Sequence, residues 1–206
     1  MPYYKSKNIL FIHIPKTGGT VIENEIKKQS RQTLWCGVER NSLLPFPFIK
    51  CSLQHQFYTT LYKFKDKLNI NFNNIKVFSV VRNPYNRVIS DLFWFKLIKN
   101  DSDSTKIYNV IKNKYLNRND LDNHNKPQYK FVTDEMGVLI PNIKIFKTEQ
   151  LNQSNDKLSN FLGLKINVKK EGQVNKNYSR YLNRDTISLI NDVYKKDFEL
   201  FGYEMK

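Results

Sequence analysis

The stretch FIHIPKTGGT, Phe11–Thr20, decides how the rest of the chain is read. It begins in an apolar run, Asn8–Ile14, with the length and flanks of a buried strand. Pro15 breaks the run, and Gly18–Gln29 continues as a helix with Val21, Ile22 and Ile26 on one face. A helix begins with unpaired N–H groups and the positive end of its dipole. Gly18 and Gly19 let the backbone approach a ligand, Lys16 adds a mobile positive charge, and Thr17 and Thr20 add hydroxyl donors. Such a turn is a cradle for an anion, above all a phosphate. The plainer alternative is a turn whose glycines only permit close packing. The nucleoside-triphosphatase pattern G-x-x-x-x-G-K-[ST] is absent, because here the lysine precedes the glycines. That argues against an ordinary kinase or ATPase.

A second stretch has the same build. VFSVVRNPYNRVIS, Val77–Ser90, is an apolar strand, then Arg82, then a helix opened by Asn83 as cap and Pro84 in its first turn. Arg82 falls at the carboxyl end of its strand, where open α/β sheets bind ligands. Arg82 and Ser90 are candidates to clamp a second phosphate. Arg87 is expected to pair with Asp91 four residues on.

Outward from these, the pattern alternates strand and helix. Ile75–Val81 is nearly all apolar, as in a parallel strand covered on both faces. Further strands are expected at Thr33–Val38 and Asn142–Lys147, with Asn41–Lys50 as loop. Helices are expected at His55–Leu68, from Asn83 to about Lys99, at Ile107–Leu116, at Ser154–Leu162 with a stop at Gly163, and at Thr186–Phe201. The expectation is one α/β domain over residues 1–206, P-loop-like and three-layered, with a mainly parallel central sheet flanked by helices. The polar segment Asn100–Lys126 reads as an insertion or a substrate-facing segment.

Lys and Arg number 34 against 19 Asp and Glu, a net charge of +15. That excess favours polyanionic partners, although the Lys-, Asn- and Ile-rich composition alone accounts for part of it. No run is long and apolar enough to span a membrane, and the polar start MPYYKSKN does not read as a signal peptide; a soluble, cytoplasmic protein is expected. Cys36 and Cys51 form no disulfide framework and are expected as free thiols. His13, His55 and His124 are not spaced like a zinc site, so no metal is expected.

Lys-Thr-Gly-Gly-Thr after one strand and Arg-Asn-Pro-x-x-Arg-x-x-Ser after another resemble the sulfotransferases that use 3′-phosphoadenosine-5′-phosphosulfate (PAPS). The wording IPKTGGT is similar to the branch of Golgi carbohydrate sulfotransferases and many bacterial homologues. NIKIFKTEQLNQSNDKLSNFLGL, Asn142–Leu164, and the C-terminal Val174–Tyr203 extend the resemblance. The Asn100–Lys126 segment matches no part of it. The resemblance implies that Pro15, Lys16, Thr17, Gly18, Gly19 and Thr20 bind the 5′-phosphosulfate, and that Arg82 and Ser90 bind the 3′-phosphate. It implies PAPS as co-substrate, its bisphosphate PAP as product, and Lys16 beside the bridging oxygen.

Transfer to a hydroxyl needs a base. Related enzymes carry a catalytic His or Glu between the two motifs, which selects His55 in QHQFYTT. Glu149 is the rival, with bracing of its own turn as its plainer role. His13 is expected to pack by its strand, and His124 to be a solvated loop residue. Lys176, Asn177, Ser179 and Tyr181 are candidates to line the nucleotide or acceptor. The implied acceptor is a hydroxyl compound, most often a glycan, and an acidic one suits the charge. Alternatives are a PAP-binding but inactive homologue and a magnesium-dependent phosphotransferase. A different class is a nucleic-acid module using the basic, aromatic KIYNVIKNKYLNR, Lys106–Arg118; nucleic acid is not the expected partner.

Overall fold

The computed structural model describes residues 3–30, 44–168 and 178–206. At its centre lies a four-stranded sheet of β1 (Tyr3–Tyr4), β2 (Ile9–Ile12), β3 (Lys76–Val81) and β4 (Lys144–Lys147), in the spatial order β1-β2-β3-β4. β2, β3 and β4 run parallel, with Ile12 opposite Ser79 and Val81 opposite Lys147. β1 is a short antiparallel edge on β2. The expected α/β architecture is therefore present, with the apolar runs trimmed at their ends. The strand expected at Thr33–Val38 lies outside the described residues.

The helices are α1 (Gly19–Lys27), α2 (Tyr58–Lys63), α3 (Pro84–Trp94), α4 (Ser104–Val110), α5 (Tyr129–Val132), α6 (Asn155–Leu162) and α7 (Arg184–Phe201). Alternation along the strands sends side chains to both faces. Ile9, Phe11, Phe78 and Val80 pack against Ile22 and Ile26 of α1 and Leu158 and Leu162 of α6. Leu10, Ile12, Val77 and Val81 meet Leu61 of α2 and Phe131 and Val132 of α5 on the opposite face. Each such side chain contributes about 1.5–3 kcal/mol when fully buried, so both faces hold the sheet. A third cluster joins α3, α4 and α7 through Leu92, Ile107, Ile111, Tyr115, Ile190 and Phe198. The polar Asn100–Lys126 segment thus buries an apolar stripe of its own. Ile107, Val110, Ile111 and Tyr115 of KIYNVIKNKYLNR point into that core, which removes them from any base-stacking surface.

Two helices are shorter than their periodicity suggests. α3 opens as expected, with Asn83 Oδ1 accepting from the N–H groups of Tyr85 and Asn86. It stops at Trp94 because Lys96 adopts a left-handed φ of 55°. Lys96 N donates to Phe93 O and Leu97 N to Leu92 O, a Schellman closure made without glycine. The helix expected from His55 begins at Tyr58, and Leu53–His55 is a separate 3-10 turn. Gln56 is held extended between them by its side chain, which donates to Phe48 O and Cys51 O. α6 and α7 end at the left-handed Gly163 and Gly202. Among the described residues, no helix is long and apolar enough to cross a membrane.

Candidate active site

The loop after β2 is held by its carbonyls. Thr17 Oγ1 donates to Ile14 O at 2.8 Å, Arg87 Nε to Pro15 O at 3.1 Å, Arg82 Nη1 to Lys16 O at 3.1 Å, and Thr148 Oγ1 to Thr17 O at 2.6 Å. Four consecutive carbonyl oxygens are thus occupied from within the fold. Among the described residues, no side chain caps the N-terminus of α1. Lys16 and Gly18 have φ of 63° and 85°, so the backbone reverses twice around buried Thr17. A left-handed residue with a Cβ costs about 1–2 kcal/mol, which the Arg82 bond to the Lys16 carbonyl helps offset. The expected hydroxyl donor at Thr17 is corrected here: its hydrogen already serves Ile14 O. Thr20 is exposed on the first turn of α1.

The two glycines do different jobs. Gly18 has room for a Cβ, and its left-handed φ is what calls for glycine. At Gly19 a Cβ would sit 2.6 Å from the His13 ring and 2.8 Å from Phe11 Cζ, so close packing is the constraint. Close packing accounts for Gly19, and backbone conformation for Gly18.

Lys16 is half-buried, with Nζ 4.4 Å from the centre of the Trp94 ring, and Trp94 is 64% exposed. Desolvation lowers the Lys16 pKa, Asp91 opposes that, and Arg82 adds to it. Trp94 was not singled out from the sequence, although its i+4 spacing from Ser90 marks it. Asn86, Ser90 and Trp94 form the less buried stripe of α3.

Arg82 is pinned where β3 ends. Its N–H donates to Gln128 Oε1 at 2.9 Å, and Gln128 Nε2 returns a bond to Arg82 O at 2.8 Å. Gln128 N in turn donates to the buried carboxylate of Asp197 on α7. The Arg82 guanidinium, 5.8 Å from the Tyr178 ring centre, gives one bond to Lys16 O and has further N–H groups to offer. Tyr178 is a second residue that sequence reasoning missed. Tyr181 is buried in the α3–α4–α7 cluster, not lining a cleft, and Lys176 and Asn177 lie outside the described residues.

Arg87 departs from expectation. It does not pair with Asp91. It is 1% exposed and spends its guanidinium on Pro15 O, Lys126 O and His124 O. Asp91 is occupied by others: Tyr115 Oη donates to it at 2.6 Å, and His124 Nδ1 lies 2.7 Å away. His124 is accordingly buried, not solvated, against the expectation for a polar loop.

The chain's three histidines stand in a row. His13 and His55 meet edge to face with centroids 5.4 Å apart, and His55 and His124 at 4.9 Å. Each holds a carboxylate at Nδ1: Glu23 at 2.5 Å from His13, Asp122 at 2.7 Å from His55, and Asp91 at 2.7 Å from His124. The row starts at the glycine loop, because His13 packs on Gly19. His55 is therefore one ring away from the glycine loop. It is 8% exposed, and burial pushes its pKa down to about 4, the Asp122 hydrogen bond opposing and His13 reinforcing. Asp122 also accepts from Ser52 N and Ser52 Oγ. Its pKa lies below the usual carboxylate range: desolvation opposes this, and the hydrogen bond and charge of His55 outweigh it.

The spacing argument against a metal does not survive folding as stated, since His55, Asp122 and His124 offer ligand atoms within 4.8 Å of one another. Tetrahedral zinc sets its ligand atoms roughly 3.3 Å apart, and the carboxylates at Nδ1 leave Nε2 as the open nitrogen of each ring. The cluster is built as hydrogen-bonded pairs.

Glu149 braces, as its plainer reading has it. Asn83 N donates to Oε1 and Tyr203 Oη to Oε2, both at 2.9 Å. Cys51 is a free thiol whose pKa is raised chiefly by burial, while Cys36 lies outside the described residues.

A family model described as "Sulfotransferase family" matches residues 3–204. No curated protein and no solved structure matches the chain.

Proposed function

The chain belongs to the sulfotransferase family, and we propose that it transfers the sulfuryl group of PAPS to an acceptor hydroxyl, taken to be on a glycan. The observation that carries this reading is the Pro15–Thr20 turn at the start of α1, where the carbonyls of Pro15, Lys16 and Thr17 are tied within the fold and the Arg82 guanidinium is bonded to the turn itself, with Lys16 a second cation on it. Two cationic side chains and a helix N-terminus suit a donor with phosphates at both its 5′ and 3′ positions.

In this reading the N–H groups of Thr17–Thr20 hold the 5′-phosphosulfate, and Arg82 with Ser90 holds the 3′-phosphate. The acceptor oxygen attacks sulfur as the bond from sulfur to the bridging oxygen breaks. Lys16 neutralises the charge that develops on that oxygen. The acceptor proton passes to Nε2 of His55, which burial keeps neutral at pH 7. Most of the acceleration comes from positioning and fixed charge. The net charge of +15 favours an acidic glycan as acceptor.

Calorimetry with PAP and 5′-AMP at fixed salt tests the donor assignment. Hydrogen bonds to charged groups are worth about 1.5–3 kcal/mol, so PAP is expected to bind at least ~10-fold tighter. Equal affinities would refute the two-phosphate site.

A further inference from the structure

We propose that Asp122, in the polar Asn100–Lys126 segment, is the positioning residue that fixes the tautomer of His55. The inference rests on His55 being the base, as proposed above, and adds the partner that makes its Nε2 the proton acceptor.

A neutral imidazole carries one hydrogen, and the bond made by one ring nitrogen decides where it sits. An ionised carboxylate only accepts. With Asp122 Oδ2 2.7 Å from Nδ1, the hydrogen is placed on Nδ1 and the lone pair on Nε2. Nε2 has no partner among the described residues. Asp122 is itself held by Ser52 N at 2.5 Å and Ser52 Oγ at 2.7 Å. Those bonds orient the carboxylate and leave it no proton to share.

The backbone turns locally to present this group. Asp122 and Asn123 both adopt left-handed backbone, at φ of 49° and 63°. Asn123 Nδ2 closes the contact by donating to His55 O at 3.0 Å, and Arg87 Nη2 holds the next residue by donating to His124 O at 2.6 Å. Asp and Asn adopt this conformation more readily than other residues with a Cβ, so the loop reaches it at modest cost. Residues 122–124 of the Asn100–Lys126 segment are thereby placed beside His55.

The test is Asp122→Asn. An amide at 122 can still accept from Ser52 while presenting N–H to the ring, which moves the imidazole hydrogen to Nε2. Nitrogen-15 NMR of the imidazoles reads the tautomer without any acceptor, with His55→Ala as the assignment control. Wild type is expected to show His55 protonated at Nδ1, and Asp122→Asn at Nε2. PAP affinity should stay within about 3-fold of wild type, with kcat lower by ~10²–10⁴. Asp122→Glu should recover part of kcat. A wild-type His55 protonated at Nε2 overturns the proposal, even if the variant fails to fold. So does a variant that changes tautomer and keeps full kcat. If His55→Ala is inactive while Asp122→Asn is fully active, only the positioning role falls. If His55→Ala is fully active, the base assignment falls and the proposal with it.

Discussion

Arg82 reaches across from the end of β3 and donates through Nη1 to the carbonyl of Lys16, 3.1 Å away. The two motifs that sequence reading kept apart are thus one unit. Arg82→Ala is expected to act twice, by removing a phosphate contact and by releasing the left-handed Lys16. PAP affinity should fall by at least ~10-fold and its advantage over 5′-AMP should disappear, as calorimetry would show. Ser90→Ala should narrow the preference and leave the fold intact.

The base is tested by comparing three variants. His55→Ala should keep PAP affinity and lose turnover by ~10²–10⁴. Lys16→Ala should lose both. Glu149→Gln should be mild, since it keeps an oxygen for Asn83 N. Full activity in His55→Ala together with loss in Glu149→Gln would reverse the assignment.

The pH profile follows from burial. With the His55 pKa pushed down to about 4, the base stays unprotonated well below an ordinary histidine's 6.5. The acid limb of kcat should therefore lie near pH 4–5. Stability has the corresponding sign: the unfolded chain takes up the His55 proton first, so this contribution is full above about pH 6.5 and is lost as pH falls toward 4. An acid limb centred at 6.5 would show that His55 is not buried as described.

Chelation is a separate check. The cradle proposed above uses Lys16, Arg82 and backbone N–H groups, so PAP binding and turnover should survive EDTA. A strict magnesium requirement would favour a phosphotransferase.

Arg87 should be a stability residue. Truncating it to Ala leaves buried carbonyl acceptors at Pro15 and His124 short of a donor, at about 1–3 kcal/mol each, and opens a cavity. Urea denaturation should show a loss of ~3 kcal/mol or more, far above that of an exposed arginine. Little change in midpoint would contradict its buried role.

Much of the frame was legible because it is local. Ile75–Val81 reads as a parallel strand from its unbroken apolar run, and Asn83-Pro84 announces α3 by capping chemistry that needs no tertiary contact. β1 was missed because two tyrosines in a polar start carry no periodicity. α3 ran too long on paper because Lys96 does a job usually given to glycine. Of the proposed site, the glycine loop and Arg82 were singled out by motif and His55 by the resemblance. Their supports were not, because Asp91 lies 33 residues from His124 and Asp122 lies 67 from His55. Arg87 was misread for the same reason. The i+4 rule sees Asp91 along the helix and cannot see the two competitors that reach it first.

The ammonium of Lys16 resting on Trp94 gives the protein an optical property. Indole emission responds to a cation against its ring, and the chain has only one other tryptophan, Trp35. A donor that draws Lys16 toward its phosphates would lift that charge from the ring and change the emission. A Trp35→Phe protein would then report donor occupancy by its own fluorescence, with no label and no acceptor. The residue that senses the donor would lie next to the one assigned to act on it.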